Sequence, residues 1–369
     1  MTALLDQAVA RDVAREAFAA GARRRDAASL AIYLGHVATV LAPVYIAAWI
    51  GVGWHLIACW LWFGVLAHGL LLLLHECIHK LAFQSVRGNE ALAYTLSPLF
   101  LTEFAAFRSR HWAHHRALGT ERDPKYTYRV DIRGTACLRL IMRALLLMEG
   151  AAKMKLQTSS TAPGVRAPGA VLWIGVVQAG FLASVAMCAH LGHPEAPATA
   201  AAAAAAAYVI VYGYGMASLV PLVHTLRGVA EHKPCDAGEV VVGDAALRNF
   251  STGLIERCIW GAYGFVDHAT HHAFPSVPAY LLPSVTHQAM RHDPTLRPVG
   301  THTQVLARMG HRGATRRLTY RGGTTSSTAA WALWSGSSPR RDTAPGPIPT
   351  RSGCRSACSM SAGSPTSPP

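Results

Sequence analysis

The sequence predicts an all-α integral membrane protein, with four transmembrane helices in two hairpins and a cytoplasmic helical cap that carries clustered histidines. Three observations lead there. Of 369 residues, 51% are hydrophobic and only 15% charged, too little charge to cover a soluble protein of this size. Four apolar runs each approach the length of about 20 residues that crosses a bilayer as a helix. Third, nine of the 19 histidines are concentrated just beyond the ends of those runs.

Residues 1–29 form a polar, arginine-containing stretch without the apolar core of a signal peptide. The first two spans run from Leu30 to Ile50 and from Trp54 to Leu74, separated by little more than "GVG", which makes them one tight hairpin. The third runs from Ala170 to Leu191. The fourth, from Ala200 to Val223, opens on eight consecutive alanines, and "YVIVYGYGMASLVPLV" supplies the hydropathy that alanine lacks.

Residues 80–168 lie between the hairpins. "ALAYTLSPLFLTEFAAF" is apolar but short and interrupted by Pro98, whereas "CLRLIMRALLLM" sets Arg139 and Arg143 four residues apart, as suits a helix at the membrane interface. This segment holds 14 Lys or Arg, and Arg11, Arg15 and Arg23 to Arg25 precede the first span, while the turns "GVG" and "HLGHPEAPA" hold none. The bias puts the N-terminus, the histidine clusters and the C-terminal part on the cytoplasmic side. It also accounts for the net charge of +14 without nucleic acid as a partner. The main domain spans 30–305. Residues 306–369 turn to Ser, Thr, Arg, Gly and Pro without periodicity, which reads as a disordered tail, or as translation out of frame from about Gly310.

The eight cysteines are scattered, with no C-x-x-C pair. The chemistry-bearing residues are instead three groups of histidine. The first, His75 and His79 in "LLLLHECIHK", also matches the H-E-x-x-H of zinc proteases, with Glu76 as general base. The second is His111, His114 and His115 in "RSRHWAHHRALGTERDPKY", and the third His268, His271 and His272 in "VDHATHHAFPSVPAY". Positions i, i+3 and i+4 of a helix share a face, so each His-x-x-His-His run aims three imidazoles at one place. Eight donors exceed the three or four that one zinc takes and suit two ions. His232 in "LRGVAEHKPCD" is a ninth candidate; alone it would pass as a surface or capping histidine.

"HECIH", "HWAHH" and "HATHH", in this order and at these places relative to the spans, resemble the three histidine boxes of the integral-membrane fatty acid desaturase and hydroxylase superfamily. "GTERDP" and "FPSVPAYLLP" resemble the stretches that follow its second and third boxes, and "RGVAEH" the segment that supplies a further ligand; the likeness covers about residues 30–300. It implies a non-haem di-iron centre that uses O2 against an unactivated C–H bond, with His75, His79, His111, His114, His115, His232, His268, His271 and His272 as ligands. The sequence departs from the family at "GFVD" before the third box and at Ala273 after it.

Around the boxes, Glu76, Asp123 and Asp267 are candidates to orient ligand histidines. Arg108 and Arg116 are candidates to meet an anionic headgroup or an acidic donor, or are solvated charge. Cys77 reads as packing, and the other ten histidines, His68, His224 and His302 among them, as background. A zinc protease would explain "HECIH" and leave both longer runs unexplained; a metal transporter would want its ionisable residues inside the spans. The resemblance favours desaturation of an acyl chain on a lipid or a carrier, with hydroxylation or ketolation of a lipid, carotenoid or amino-acid-derived metabolite as the alternative. No "HPGG" haem motif or cysteine cluster is present, so a separate ferredoxin or a cytochrome or reductase chain is expected as electron donor, in a bacterial inner membrane.

Overall fold

A computed structural model describes residues 26–159, 169–235 and 239–311. The expectations for residues 1–25 and for the tail after 311 lie outside the described residues. In chain order the main helices are α1 (Asp26–Ile50), α2 (His55–Ile78), α3 (Val86–Leu96), α4 (Phe104–Ala117), α5 (Thr135–Leu145), α6 (Met148–Ser159), α7 (Ala170–Gly192) and α8 (Pro197–His232). There follow strands β1 (Val240–Val242) and β2 (Ala245–Leu247), then α9 (Leu254–Ile259), α10 (His268–Ala273), α11 (Leu282–Ala289) and α12 (His302–His311).

Helices α1, α2, α7 and α8 are long and apolar enough to cross a membrane. Their core is aliphatic and small: Val40, Val44 and Ala47 of α1 meet Phe63, Leu70 and Leu73 of α2, Val185 and Ala189 of α7, and Ala203, Ala207 and Val211 of α8. On its other faces α7 exposes Val171, Leu172, Val176 and Met187, as a lipid-facing helix does.

Two of these helices run further than their apolar stretches suggest. α2 continues past Leu74 to Ile78, and α8 past Val223 to His232. The polar residues of both extensions lie in the protein interior, Glu76 accepting from the Ala279 N–H and Arg227 in contact with Glu231. α8 is not uniform: residues Ala207–Tyr214 are wound as π-helix, and Ser218 breaks the regular geometry with φ −108° and ψ −72°. Ser218 Oγ donates to the Tyr214 carbonyl and accepts from Trp60 Nε1 of α2 at 3.3 Å, so the bend is stapled to its neighbour.

The crossing of α2 and α8 depends on two glycines. A Cβ on Gly64 would sit 2.4 Å from the Leu219 Cβ, and one on Gly215 would sit 2.7 Å from the Phe63 ring. Bare backbone at both points lets the helices approach until their histidine-bearing ends converge.

The expectation of an all-α chain is corrected by one short antiparallel ribbon. Val240, Val241 and Val242 pair with Leu247, Ala246 and Ala245; three β-branched residues precede a Gly-Asp turn in which Gly243 takes φ +59°. The Asp244 N–H donates to the Gly119 carbonyl at 2.8 Å, hanging the ribbon from the loop after α4.

The shorter helices are positioned by their ends. Ser85 caps α3 by accepting from the Gly88 N–H at 2.9 Å. The Glu103 carboxylate caps α4, accepting from Ala105 and Ala106 at 2.9 and 2.7 Å. Arg248, buried at the end of β2, donates to the Ala230 carbonyl at 2.7 Å and pairs with Glu239 at 2.7 Å, tying the ribbon to the last turn of α8. Replacing Gly64 by alanine should lower the thermal stability of the purified protein by about 1–3 kcal/mol, because the Leu219 Cβ cannot swing away. Gly35→Ala, where a Cβ meets nothing within 4 Å, should leave the melting temperature unchanged or slightly raised; equal losses from both would refute the close crossing.

Candidate metal centre

All nine box histidines come together, and they do so in two groups. His75 and His79 at the end of α2, His111 and His115 of α4, and His271 of α10 bring one ligand nitrogen each within 4.8 Å of one another. His114 of α4, His232 of α8 and His272 of α10 form a second set on the same criterion, and Glu231, His232 and His268 a third that shares His232. The second and third merge into one group of four imidazoles beside a carboxylate. The His115 and His272 rings stack at 4.5 Å and join the two groups.

The spacing in the sequence explains the division. On α4, His111 and His115 are i and i+4 and face the first group, while His114 turns to the second. On α10, His271 serves the first group, and His268 and His272, again i and i+4, serve the second. α10 is only one and a half turns long and is held from outside the cluster. Asn249 accepts from the Thr270 N–H at 3.1 Å and donates to the Thr270 hydroxyl at 3.0 Å and the Leu296 carbonyl at 2.7 Å.

Burial sets the protonation of the rings. It pushes His79 down to about 3. It also holds His111, His115, His268, His271 and His272 well below the ordinary histidine range, helped by the repulsion of neighbouring rings. Neutral imidazoles each offer a lone pair at neutral pH, the form a metal ion requires.

The outer nitrogens show which way several rings face. The Nδ1 of His114 lies 2.9 Å from Asp123 Oδ1, and Asp123 Oδ2 accepts from the Tyr128 hydroxyl at 3.0 Å. Burial works to raise Asp123, but the hydrogen bond and charge of His114, together with those from Lys125 N and Tyr128, hold it below the usual carboxylate value. His232 Nδ1 donates to the Ala246 carbonyl of β2 at 3.2 Å, which leaves its Nε2 as the acceptor. His268 Nδ1 lies 3.5 Å from Glu231 Oε1. Glu231 is in turn in direct contact with Arg227, whose guanidinium lies over the Phe265 ring at 4.2 Å.

The inner nitrogens converge. His232 and His268 approach through Nε2 at 3.0 Å, and His79 and His111 through Nε2 at 2.8 Å. The Nε2 atoms of His114, His115 and His271 are buried without a hydrogen-bond partner. An unsatisfied buried nitrogen costs about 1–3 kcal/mol, and several aimed at one place fit a bound cation. Nine imidazoles in groups of five and four match the capacity of two ions, with positions left over for a further ligand.

The other sequence candidates divide. Asp123 orients a histidine, and that histidine is His114. Glu76 Oε1 is 3.9 Å from His75 Nδ1, and its Oε2 accepts from the Ala279 N–H at 3.3 Å, so it links α2 to the loop after α10. Asp267 is buried, has Thr286 as its hydrogen-bonding neighbour, and is pushed up by burial. Arg108 pairs with Glu90 at 3.3 Å, and Cys77 is buried in the core. The sequence reading passed over Glu231, Arg227, Tyr128, Asn249 and the Ala246 carbonyl. An arginine and a glutamate four apart beside a ligand histidine were the available signal for the first two.

Fold and site together define a protein of four long apolar helices whose ends and attached short helices build a histidine-lined centre that could hold metal ions. The family model for fatty acid desaturases matches residues 52–303, more than half of the chain, and the chain belongs to that family. It is thereby an oxidoreductase of the desaturase and hydroxylase type. No match was found among curated proteins.

Asp123→Asn should weaken metal binding by about 10–100-fold in competition with a chelator, because it replaces the charged acceptor of the His114 N–H. Tyr128→Phe, one step further out, should cost less. Equal affinities in all three proteins would remove Asp123 from the site.

Proposed function

We propose that the protein is a membrane-bound, O2-dependent di-iron desaturase that introduces a double bond into an acyl chain. The observation that carries this reading is the division of nine imidazoles, eight of them buried, into groups of five and four around a shared centre. His75, His79, His111, His115 and His271 would hold one iron, and His114, His232, His268 and His272 the other. Iron bound there supplies the activation of dioxygen needed to break an unactivated C–H bond.

The chain's own part is to bind, orient and keep dry. Asp123 and the Ala246 carbonyl hold the Nδ1 sides of His114 and His232, so that their Nε2 atoms stay directed inward, and Glu231 lies 3.5 Å from the Nδ1 of His268. Phe265 packs on His75 at 4.5 Å and Trp112 on His79 at 4.6 Å, which screens the centre with apolar surface. Removing two hydrogens while reducing O2 to two waters consumes two electrons and two protons from outside. These come from a separate ferredoxin or a cytochrome or reductase chain, acidic enough to dock on a basic face. The spans form two hairpins in a bacterial inner membrane, with both termini and the cap that carries the boxes in the cytoplasm.

A zinc protease built on His75, Glu76 and His79 is disfavoured by the same geometry. Glu76 is engaged by the Ala279 N–H, and three further imidazoles share the space around the pair. Two measurements test the proposal. Metal analysis should give about two irons per chain, and one tightly held zinc would overturn it. Lipid profiles of a host expressing the chain should show a new double bond that is lost in His114→Ala; a new hydroxyl in its place would assign the family's other reaction.

A further inference from the structure

α5 and α6 run beside α8 and leave a set of large apolar side chains uncovered. α5 buries Ala136, Leu140 and Ala144, the last two in a core shared with Leu219 and Leu222 of α8. On its opposite face stand Leu138 and Met142. With Leu146, Leu147, Met148 and Met154 they are between 41% and 65% exposed. A helix apolar on two opposite faces, with Arg139 and Arg143 confined to a stripe between them, is not patterned for a water-facing surface.

The contacts fix the direction of this hairpin. Where it starts, at the end of the bundle that carries the histidines, Lys233 Nζ donates to the Val130 carbonyl at 2.6 Å and the Gly134 N–H to the Gly310 carbonyl at 3.3 Å. Where α5 ends, the Tyr214 hydroxyl donates to the Leu145 carbonyl at 2.8 Å. Gly150, in the first turn of α6, sets bare backbone against the Ala217 carbonyl, where a Cβ would come within 2.4 Å. α5 therefore descends antiparallel to α8, and α6 turns back from there. Trp60 of α2 stacks on Tyr214 at 5.4 Å and borders the same core.

These partners lie inside the apolar runs of α2 and α8, away from the polar ends that bear the histidines. Trp60 precedes His75 by 15 residues, about 22 Å along a helix. The hydrocarbon layer that α2 crosses is about 30 Å thick, so the tip of the hairpin at 145–150 stands within it. Ile57 and Leu61, beside Trp60 on α2, are exposed at the same depth. The charges of the hairpin are accommodated. Arg143 and Glu149 pair at 2.7 Å, and Lys153 turns its Nζ into the protein. Arg139 donates back to Thr135 at 2.9 Å, toward the head of the hairpin, as a cation near a membrane edge does.

We infer that α5 and α6 form a re-entrant hairpin, which enters the bilayer from the histidine-bearing side and holds Leu138, Met142 and Leu146 against lipid acyl chains. In water such a face would be an aggregation site; at the depth of Trp60 and Tyr214 its neighbours are acyl chains. The inference rests on the four apolar helices as membrane spans and is independent of the reaction at the metal centre.

The test places the fluorescent residue acridonylalanine, singly, at Arg133, Leu138, Met142, Leu146 or, as a lipid-facing reference, Val176 of α7. The full-length proteins are reconstituted in phosphatidylcholine–phosphatidylglycerol vesicles. Quenching by aqueous iodide should fall in the order 133, 138, 142, 146, by at least about fivefold from first to last, because water is absent from the bilayer core. Quenching by phospholipids with a nitroxide halfway along the acyl chain should rise in the same order and at 146 match that at 176. Equal quenching at 138, 142 and 146 would mean a helix lying flat on the membrane surface and would overturn the hairpin. Iodide access at 146 equal to that at 133 would overturn it as well, as would shielding of 146 from both quenchers, the mark of a second copy covering this face. Any two of the three hairpin positions establish the order, so one variant that fails to fold leaves the test intact.

Discussion

Packing nine imidazoles into one dry space is the constraint that shapes the molecule. Each ring carries two nitrogens, and in a buried site both need a partner. Protein groups accept on the outer sides of two of them, Asp123 for His114 and the Ala246 carbonyl for His232, while Glu231 lies 3.5 Å from the Nδ1 of His268. The inward sides point at one another, a costly arrangement unless cations share the space. Much of the surrounding structure follows from this requirement. The β-ribbon exists where a carbonyl is needed for His232, and the loop after α4 turns at Gly119 where it meets the ribbon and brings Asp123 back toward α4.

The long helices answer a different demand and meet the first at their ends. Their cores are made of valine, leucine and alanine with glycine at the tightest crossing, so they pack by shape. Past Leu74 and Val223 the same helices become polar while remaining buried, and it is there that hydrogen bonds and ion pairs replace apolar contact as the source of order. The Arg227–Glu231 pair shows the exchange: both side chains are buried, each answers the other's charge, and together they support Phe265 and His268.

The four apolar helices and the nine histidines were legible in the sequence because both signals are local. Hydropathy over about 20 residues marks a span, and the i, i+3, i+4 spacing of imidazoles marks a gripping face. His232 was legible only through resemblance, since one histidine after a span carries no spacing of its own. The exact helix ends were misjudged because hydropathy falls where burial does not. The ribbon escaped notice because three residues in each strand give too short a period. Glu231, Asn249 and Tyr128 were illegible for a third reason: their roles depend on partners 37, 21 and 5 residues away. His68 and His224 illustrate the same limit, since two isolated histidines 156 residues apart in sequence share one contact in space.

α4 and α10 each contribute to both groups of histidines, from adjacent residues: His114 and His115 on one, His271 and His272 on the other. Neighbours on a single helical turn cannot be positioned separately, because one backbone carries both. An ion that ordered the first group would therefore also set three of the four histidines of the second, His114, His268 and His272, and disorder in either helix is felt by both. The centre is a cooperative unit, in which a half-filled state has little to favour it over the empty or the complete one. Two metal-binding groups that look divisible on paper are, in mechanical terms, a single part.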